Sequence, residues 1–124
     1  MPVTVFASVL LFFVSWSFAI AEKAERKVAL IIGNAAYQHV PSLANPSSDA
    51  SDIASALERM GFDVSLGLDL NDSEMRRSLR DFSHIAETAD LSLIYFAGHG
   101  IEIDNTNFLI PVNAELHKEQ DAEF

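Results

Sequence analysis

One stretch of this chain, LSLIYFAGHG at residues 91–100, decides the fold that the sequence predicts. Its first seven residues are mostly apolar and are typical of a buried strand, and His99 follows between Gly98 and Gly100. A residue in that place leaves the sheet at the carboxyl end of a strand, where open α/β sheets bind ligands. The two glycines allow a sharp turn and the close approach of a substrate.

His99 has two interpretations from this pattern alone. An imidazole exchanges its proton near neutral pH, so a histidine presented at a strand end is a candidate general base. The same side chain could instead cap the strand through a hydrogen bond and have no chemical role. The local sequence leaves both interpretations open.

Two strands and two helices are predicted before this stretch. KVALII at 27–32 is typical of a strand buried on both faces of a parallel sheet, and residues 62–68 alternate as in a half-buried strand near an edge. Apolar residues at helical spacing predict a helix over 48–60 that Gly61 caps. A second helix begins at Asn71, and it is expected to bury Met75, Leu79, Phe82 and Ala86.

The order of these elements predicts an α/β domain. Strand, helix, strand, helix and strand form a βαβαβ unit, and right-handed crossovers then give a mostly parallel sheet with helices on its faces. A hairpin is expected next, because the apolar segments 101–103 and 108–110 flank the turn residues 104–107.

The first 21 residues predict a secretory signal peptide. They contain no charged side chain and hold an apolar core over 5–18, and the motif AIA at 19–21 precedes the charged run 22–27. We therefore expect an exported protein, periplasmic or secreted, with a mature part over 22–124. The alternative is an uncleaved anchor, since this segment is about long enough to span a bilayer, and membrane association is expected only in that case.

Composition excludes several classes of function. The formal net charge is −10, which argues against binding to nucleic acid through its phosphates. The chain has no cysteine, so it offers neither a disulfide framework nor thiol chemistry. Gly33 alone follows the first strand, without the spaced glycines of a dinucleotide site, and no P-loop motif occurs. The histidines are scattered without metal-ligand spacing, so no cofactor or metal is expected.

Asp49 and Asp52 are the carboxylates at the start of the first predicted helix. An aspartate in that place is usually a helix cap. However, the loops at the carboxyl ends of adjacent parallel strands lie on one side of a sheet. Asp49 could therefore face the same cleft as His99.

Four segments of the chain occur in a characteristic order: KVALIIGN at 27–34, LANPSSDA at 43–50, LERMGFDV at 57–64 and YFAGHGI at 95–101. They resemble the successive motifs of bacterial caspase-like peptidases, in the caspase and metacaspase group of cysteine proteases (peptidase family C14). The resemblance implies a three-layer αβα sandwich with a mostly parallel sheet. It also implies that residues 22–124 are a p20-type domain, incomplete at its carboxyl end.

The resemblance assigns three site residues. His99 matches the catalytic histidine, and Gly100 matches the glycine whose backbone N–H helps to stabilise the oxyanion. Asp49 matches the acidic residue that lines the S1 pocket of metacaspase-like members and selects Arg or Lys before the cleaved bond, although Ser48 stands where many members have asparagine. The implied partner is a peptide or protein substrate with a basic residue, and the resemblance does not decide whether calcium is required.

The chain departs from the family in one decisive respect. The nucleophilic cysteine of these proteases follows the next strand, and this chain ends at Phe124 with no cysteine. A histidine base without a thiol cannot form an acyl-enzyme, so we expect the chain by itself to be inactive. Two interpretations stay open: the amino-terminal part of a longer protease, or a pseudoenzyme or interaction module that binds basic peptides.

Overall fold

The computed structural model of the protein describes residues 25–116. The segment 1–21, predicted as a signal peptide or anchor, lies outside the described residues. Within 25–116 no helix is both long enough and apolar enough to cross a membrane. The elements are β1 Lys27–Gly33, α1 Pro46–Arg59, β2 Phe62–Leu68, α2 Asp72–Ala86, β3 Leu91–Ala97, β4 Gly100–Ile103 and β5 Thr106–Leu109.

Three parallel strands form the main sheet, in the order β2-β1-β3. Gly33, the last residue of β1, pairs with Leu68 of β2 and with Ala97 of β3, so the three strands end level. The loops that follow the strands therefore start from one edge of the sheet, which we call the carboxyl edge.

The side chains of β1 alternate between two helical layers. Ile31 clusters with Ala50 and Ala54 of α1, while Ile32 lies on the other face and clusters with Phe82 of α2. The helices lie on opposite faces because right-handed crossovers add β2 and β3 on opposite sides of β1. Each fully buried isoleucine contributes roughly 1.5–3 kcal/mol to the stability of this core. The predicted α/β fold, a parallel sheet between helices, is confirmed.

The helix ends follow from local sequence. Helix α1 begins at Pro46, two residues before the predicted start, because proline suits the first turn, where its missing N–H needs no acceptor. It ends at Arg59, and Gly61 follows with φ 85°, as the predicted glycine cap requires. Helix α2 begins as predicted after Asn71, whose side chain accepts the Glu74 N–H while the Glu74 carboxylate accepts the Asn71 N–H.

Two predictions of burial are wrong. Strand β3 was expected to be buried, but it is an edge strand of the described sheet, with Leu91 48% and Ile94 52% exposed. In the described sheet only β1 pairs with β3, so no neighbouring strand covers the side chains of β3 on its outer side. Leu79 was expected to lie in the core, and it is 38% exposed on α2.

The hairpin forms as predicted, with a tighter turn. Strands β4 and β5 are antiparallel, and Ile103 pairs with Thr106. The turn therefore contains two residues, Asp104 and Asn105, rather than the four predicted at 104–107. Both have positive φ, 50° and 63°, which is what a two-residue turn of type I′ needs and what Asp and Asn tolerate best after glycine.

Candidate active site at the carboxyl edge of the sheet

His99 begins the loop that leaves β3, and its neighbour Gly98 explains why the chain can turn there. A Cβ atom on Gly98 would lie 2.6 Å from the Tyr37 hydroxyl oxygen and 2.8 Å from Cζ of Phe96. No side chain fits that space. A Cβ atom on Gly100 would meet nothing closer than the Phe108 carbonyl oxygen at 3.5 Å, so the second glycine lies in open surroundings.

The His99 imidazole is held by the loop that follows β1. Its Nε2 lies 2.7 Å from the Pro41 carbonyl oxygen. A carbonyl oxygen can only accept a hydrogen bond, so Nε2 carries the proton and Nδ1 keeps its lone pair. No described residue hydrogen-bonds Nδ1. The ring of a neutral His99 thus presents a basic nitrogen at the carboxyl edge.

The His99 backbone is fixed on both sides. Its N–H donates to the Tyr37 hydroxyl at 2.8 Å, and its carbonyl accepts the Ile110 N–H at 3.0 Å. In the antiparallel register Ile110 is opposite His99, and Gly100 is opposite Leu109. Hydrogen-bonded and non-bonded pairs alternate along such a ladder, so the Gly100 N–H points away from β5.

Tyr37 lies at the centre of these contacts. Its ring meets the His99 ring edge-on, with centroids 4.6 Å apart and an interplanar angle of 62°. Its hydroxyl donates to the Ile110 carbonyl at 2.9 Å. Burial raises the pKa of the Tyr37 hydroxyl, and the nearby Asp69 carboxylate also raises it, whereas the bond from the His99 N–H lowers it.

Two polar residues at strand ends shape the loop that carries Pro41. Asn34 follows β1 and is fully buried, and its Oδ1 accepts the Leu70 N–H at 2.9 Å. Asp69 follows β2, and its Oδ1 accepts the N–H groups of Ala35 and Ala36 at 2.9 and 3.0 Å. Sequence analysis missed Tyr37, Asn34 and Asp69. The strand-end rule that selected His99 would also have selected Asn34 and Asp69.

Asp49 lies in the first turn of α1, near the carboxyl edge. A Cβ atom on Gly33 would lie 2.5 Å from the Pro46 carbonyl oxygen and 2.7 Å from Cβ of Ala50, so this turn packs directly on the end of β1. Asp49 and Asp52 are both exposed. Within residues 25–116 the Asp49 carboxylate has no hydrogen bond or ion pair. The structure brings His99 and Gly100 together with Tyr37, and it leaves Asp49 in solvent.

A groove of about 230 Å³ lies elsewhere, between α2 and the hairpin. Its apolar lining is formed by Met75, Leu79, Phe108, Leu109 and Pro111. None of the predicted site residues lines it. No group of three potential metal ligands occurs within residues 25–116.

Comparison with known proteins matches this chain to a family and to relatives that include two mammalian proteins. The family described as caspase domain (peptidase C14) matches residues 26–122. Mucosa-associated lymphoid tissue lymphoma translocation protein 1 of Homo sapiens is 37% identical over 91 residues, which are 73% of this chain and 11% of that protein. Its Mus musculus homolog is 36% identical over the same share of each chain. The match thus spans about a tenth of the length of each relative.

Proposed function

This chain belongs to the caspase domain family, peptidase family C14, and we propose that it carries the base-bearing part of a cysteine endopeptidase. The observation that carries the proposal is the His99 imidazole, whose Nε2–H is committed to the Pro41 carbonyl at 2.7 Å. This bond leaves Nδ1 as the nitrogen that can take a proton. Membership of the family implies a protein substrate and a hydrolytic reaction.

The reaction needs a thiol, and none of the 124 residues is a cysteine. The nucleophile therefore comes from outside these residues. Its proton passes to Nδ1 of His99, and the thiolate attacks the scissile carbonyl carbon. Nδ1–H then protonates the leaving amine as the C–N bond breaks, and water hydrolyses the acyl-enzyme with His99 again as base. The Pro41 carbonyl stabilises the imidazolium that forms in each half of the cycle.

Gly100 supplies an oxyanion donor in this proposal. Its N–H points away from β5, next to the histidine. A backbone N–H fixed before the reaction stabilises the tetrahedral intermediate without reorganising. The amide of the cysteine is the second donor.

Asp49 selects the substrate in this proposal. Its carboxylate is exposed, lies in a helical turn near the carboxyl edge and has no partner within residues 25–116. A free carboxylate there suits a guanidinium or ammonium group, with Arg able to bind both oxygens. The net charge of −10 adds a general attraction for basic peptides.

The finer classification is also our proposal. The order of the four motifs and the acid at Asp49 support a bacterial, metacaspase-like type, while the mammalian relatives support the C14 family as a whole. We further propose that the segment 1–21 directs export, and that the cysteine-bearing strand follows the p20-type domain of residues 22–124.

The alternative is a pseudoenzyme or module that binds basic peptides without cutting them, which the lack of cysteine favours. The DNA sequence past codon 124, and the activity of the protein that it encodes, distinguish the peptidase from this alternative. We call this chain, continued in frame through a strand that carries a cysteine, the extended protein. Our proposal expects the extended protein to cleave fluorogenic peptides that end in Arg or Lys, and the 124-residue chain to cleave none. A genuine stop with no downstream cysteine, or an extended protein that binds such peptides intact, would establish the alternative.

A further inference from the structure

We propose that Tyr37 is the positioning residue of this site, and that its hydroxyl holds the His99 base and the Gly100 amide in their working arrangement. The inference rests on the proposed function, in which His99 is the base and Gly100 the oxyanion donor. It is carried by the contacts of one side chain that sequence analysis did not select.

The Tyr37 hydroxyl joins the two segments that frame Gly100. It accepts the His99 N–H at 2.8 Å and donates to the Ile110 carbonyl at 2.9 Å. Ile110 lies opposite His99 across the base of the hairpin and donates its own N–H to the His99 carbonyl. The Tyr37 hydroxyl oxygen thus fixes both segments at the point where Gly100 begins β4.

The aromatic ring restricts the imidazole. Tyr37 is 6% exposed, and its edge-on contact with the His99 ring limits rotation of that ring. The loop carrying Tyr37 is anchored in turn, since the Gln38 N–H donates to the Val112 carbonyl at 2.9 Å. Pro41 belongs to the same loop, so one loop carries both Tyr37 and the acceptor of the His99 Nε2–H.

The hydroxyl must be neutral to make both bonds. A phenolate could accept from His99 but could not donate to Ile110. Burial of Tyr37 raises the pKa of its hydroxyl, which keeps the proton in place throughout the pH range where a cysteine–histidine pair works. Among the described side chains, the Ile110 carbonyl has one further donor, the Asn34 amide, at the longer distance of 3.3 Å.

The test replaces the hydroxyl and keeps the ring. Tyr37→Phe in the 124-residue chain is compared with wild type by NMR, measuring exchange with water of the His99 backbone N–H and of its Nε2–H. Loss of the hydrogen bond from the His99 N–H, if it has ordinary strength, predicts about tenfold faster exchange of that N–H. The Nε2–H should also exchange faster, because the hydroxyl that holds this segment in place is gone. Tyr95→Phe removes the other tyrosine hydroxyl as a matched control. The His39 and His84 side chains, which pair with Glu115 and Glu87, give internal references.

The outcomes separate positioning from general stability. The Ile31 N–H in the central strand reports opening of the whole domain, and we expect its exchange to accelerate less in Tyr37→Phe than exchange at His99. Unchanged His99 exchange, equal acceleration at Ile31, the same effect from Tyr95→Phe, or loss of the fold would each overturn the proposal. Because none of these measurements needs peptidase activity, a failure here is distinct from a failure of the proposed function.

Discussion

His99 and Asp49 lie at the same edge of the sheet, but they differ in the contacts that the rest of the chain makes with them. The His99 residue is held through its imidazole, its N–H and its carbonyl by Pro41, Tyr37 and Ile110. The Asp49 carboxylate is exposed and has no partner within residues 25–116. The first group is held by three contacts, and the second is open to solvent.

This difference matches the two roles that we propose. A catalytic base gains from preorganisation, because a misplaced proton acceptor loses much of its effect. A residue that recognises a flexible basic side chain needs an unpaired charge, since a carboxylate already bound to a lysine or arginine of its own chain would have to release it first. On this proposal the base is preorganised by contacts within residues 25–116, and the Asp49 carboxylate stays free to bind a basic side chain of the substrate.

Substitution of His99 should give the largest effect. We expect His99→Ala in the extended protein to lower kcat/KM for Arg peptides by at least about 10³-fold, the range for loss of a base that also activates the nucleophile. The fold should persist, because the imidazole makes one hydrogen bond and little core contact. His84→Ala, on the exposed face of α2, is the control and should cleave normally. Cleavage by His99→Ala at the wild-type rate would reduce His99 to a strand cap.

Substitution of Asp49 should give the next largest effect. Loss of the carboxylate is expected to lower kcat/KM for Arg peptides by ~100-fold, the scale for breaking a charge pair that substrate binding desolvates. Asp52→Ala, three residues further along α1, is the matched control and should change little. If Asp52→Ala is impaired and Asp49→Ala is not, the assignment of the acid along the helix is wrong. If neither matters, the preference for basic residues fails.

The two glycines beside His99 should differ in the loss of stability that a side chain causes. Gly98→Ala places a Cβ atom 2.6 Å from the Tyr37 hydroxyl, which two hydrogen bonds hold in place, so we expect a loss of about 1–3 kcal/mol. That corresponds to a Tm lower by roughly 4–8 °C per kcal/mol. Gly100→Ala meets only the Phe108 oxygen at 3.5 Å and should stay within about 0.5 kcal/mol of wild type. Equal melting temperatures for both variants would contradict the close contact at Gly98.

The smallest effect should appear at high pH. The raised pKa of Tyr37 means that the folded state holds this proton more tightly than the unfolded chain does. Its contribution to stability is full below the unfolded pKa of about 10 and is lost as pH rises through the folded pKa. Wild type should therefore lose more free energy of unfolding above pH 10 than Tyr37→Phe does, in chemical denaturation at matched pH values. Parallel pH curves for the two proteins would refute the shift.

The sequence predicts the elements of this fold well, because each carries its own periodicity and end signals. Asn71 with Glu74 marks the start of α2, and Gly61 marks the end of α1, through contacts within a few residues. The exposure of β3 could not be predicted this way, since Leu91 and Ile94 are apolar whether or not another strand covers them.

In the candidate site, too, local sequence predicts some residues and tertiary contacts determine the others. His99 is visible from its glycines and its strand, whereas its partners act across the chain: Pro41 is 58 residues away and Tyr37 is 62 residues away. Tyr37 sits in a polar loop with no periodic pattern, and only the docking of the hairpin gives its hydroxyl two partners. Such a role follows from tertiary contacts, which local sequence does not encode.

The central claim, that His99 activates a cysteine for attack on basic substrates, is tested most directly by covalent labelling. The extended protein is treated with a peptidyl chloromethyl ketone that carries Arg at its reactive end, and the adduct is measured by mass spectrometry. Thiolate displaces chloride from the ketone, and His99 takes the thiol proton. We predict one adduct on the cysteine, formed at least about 10²-fold more slowly in His99→Ala. A reagent that carries Asp in place of Arg should form hardly any adduct with the wild type. Labelling at equal rates in the wild type and His99→Ala would contradict the account.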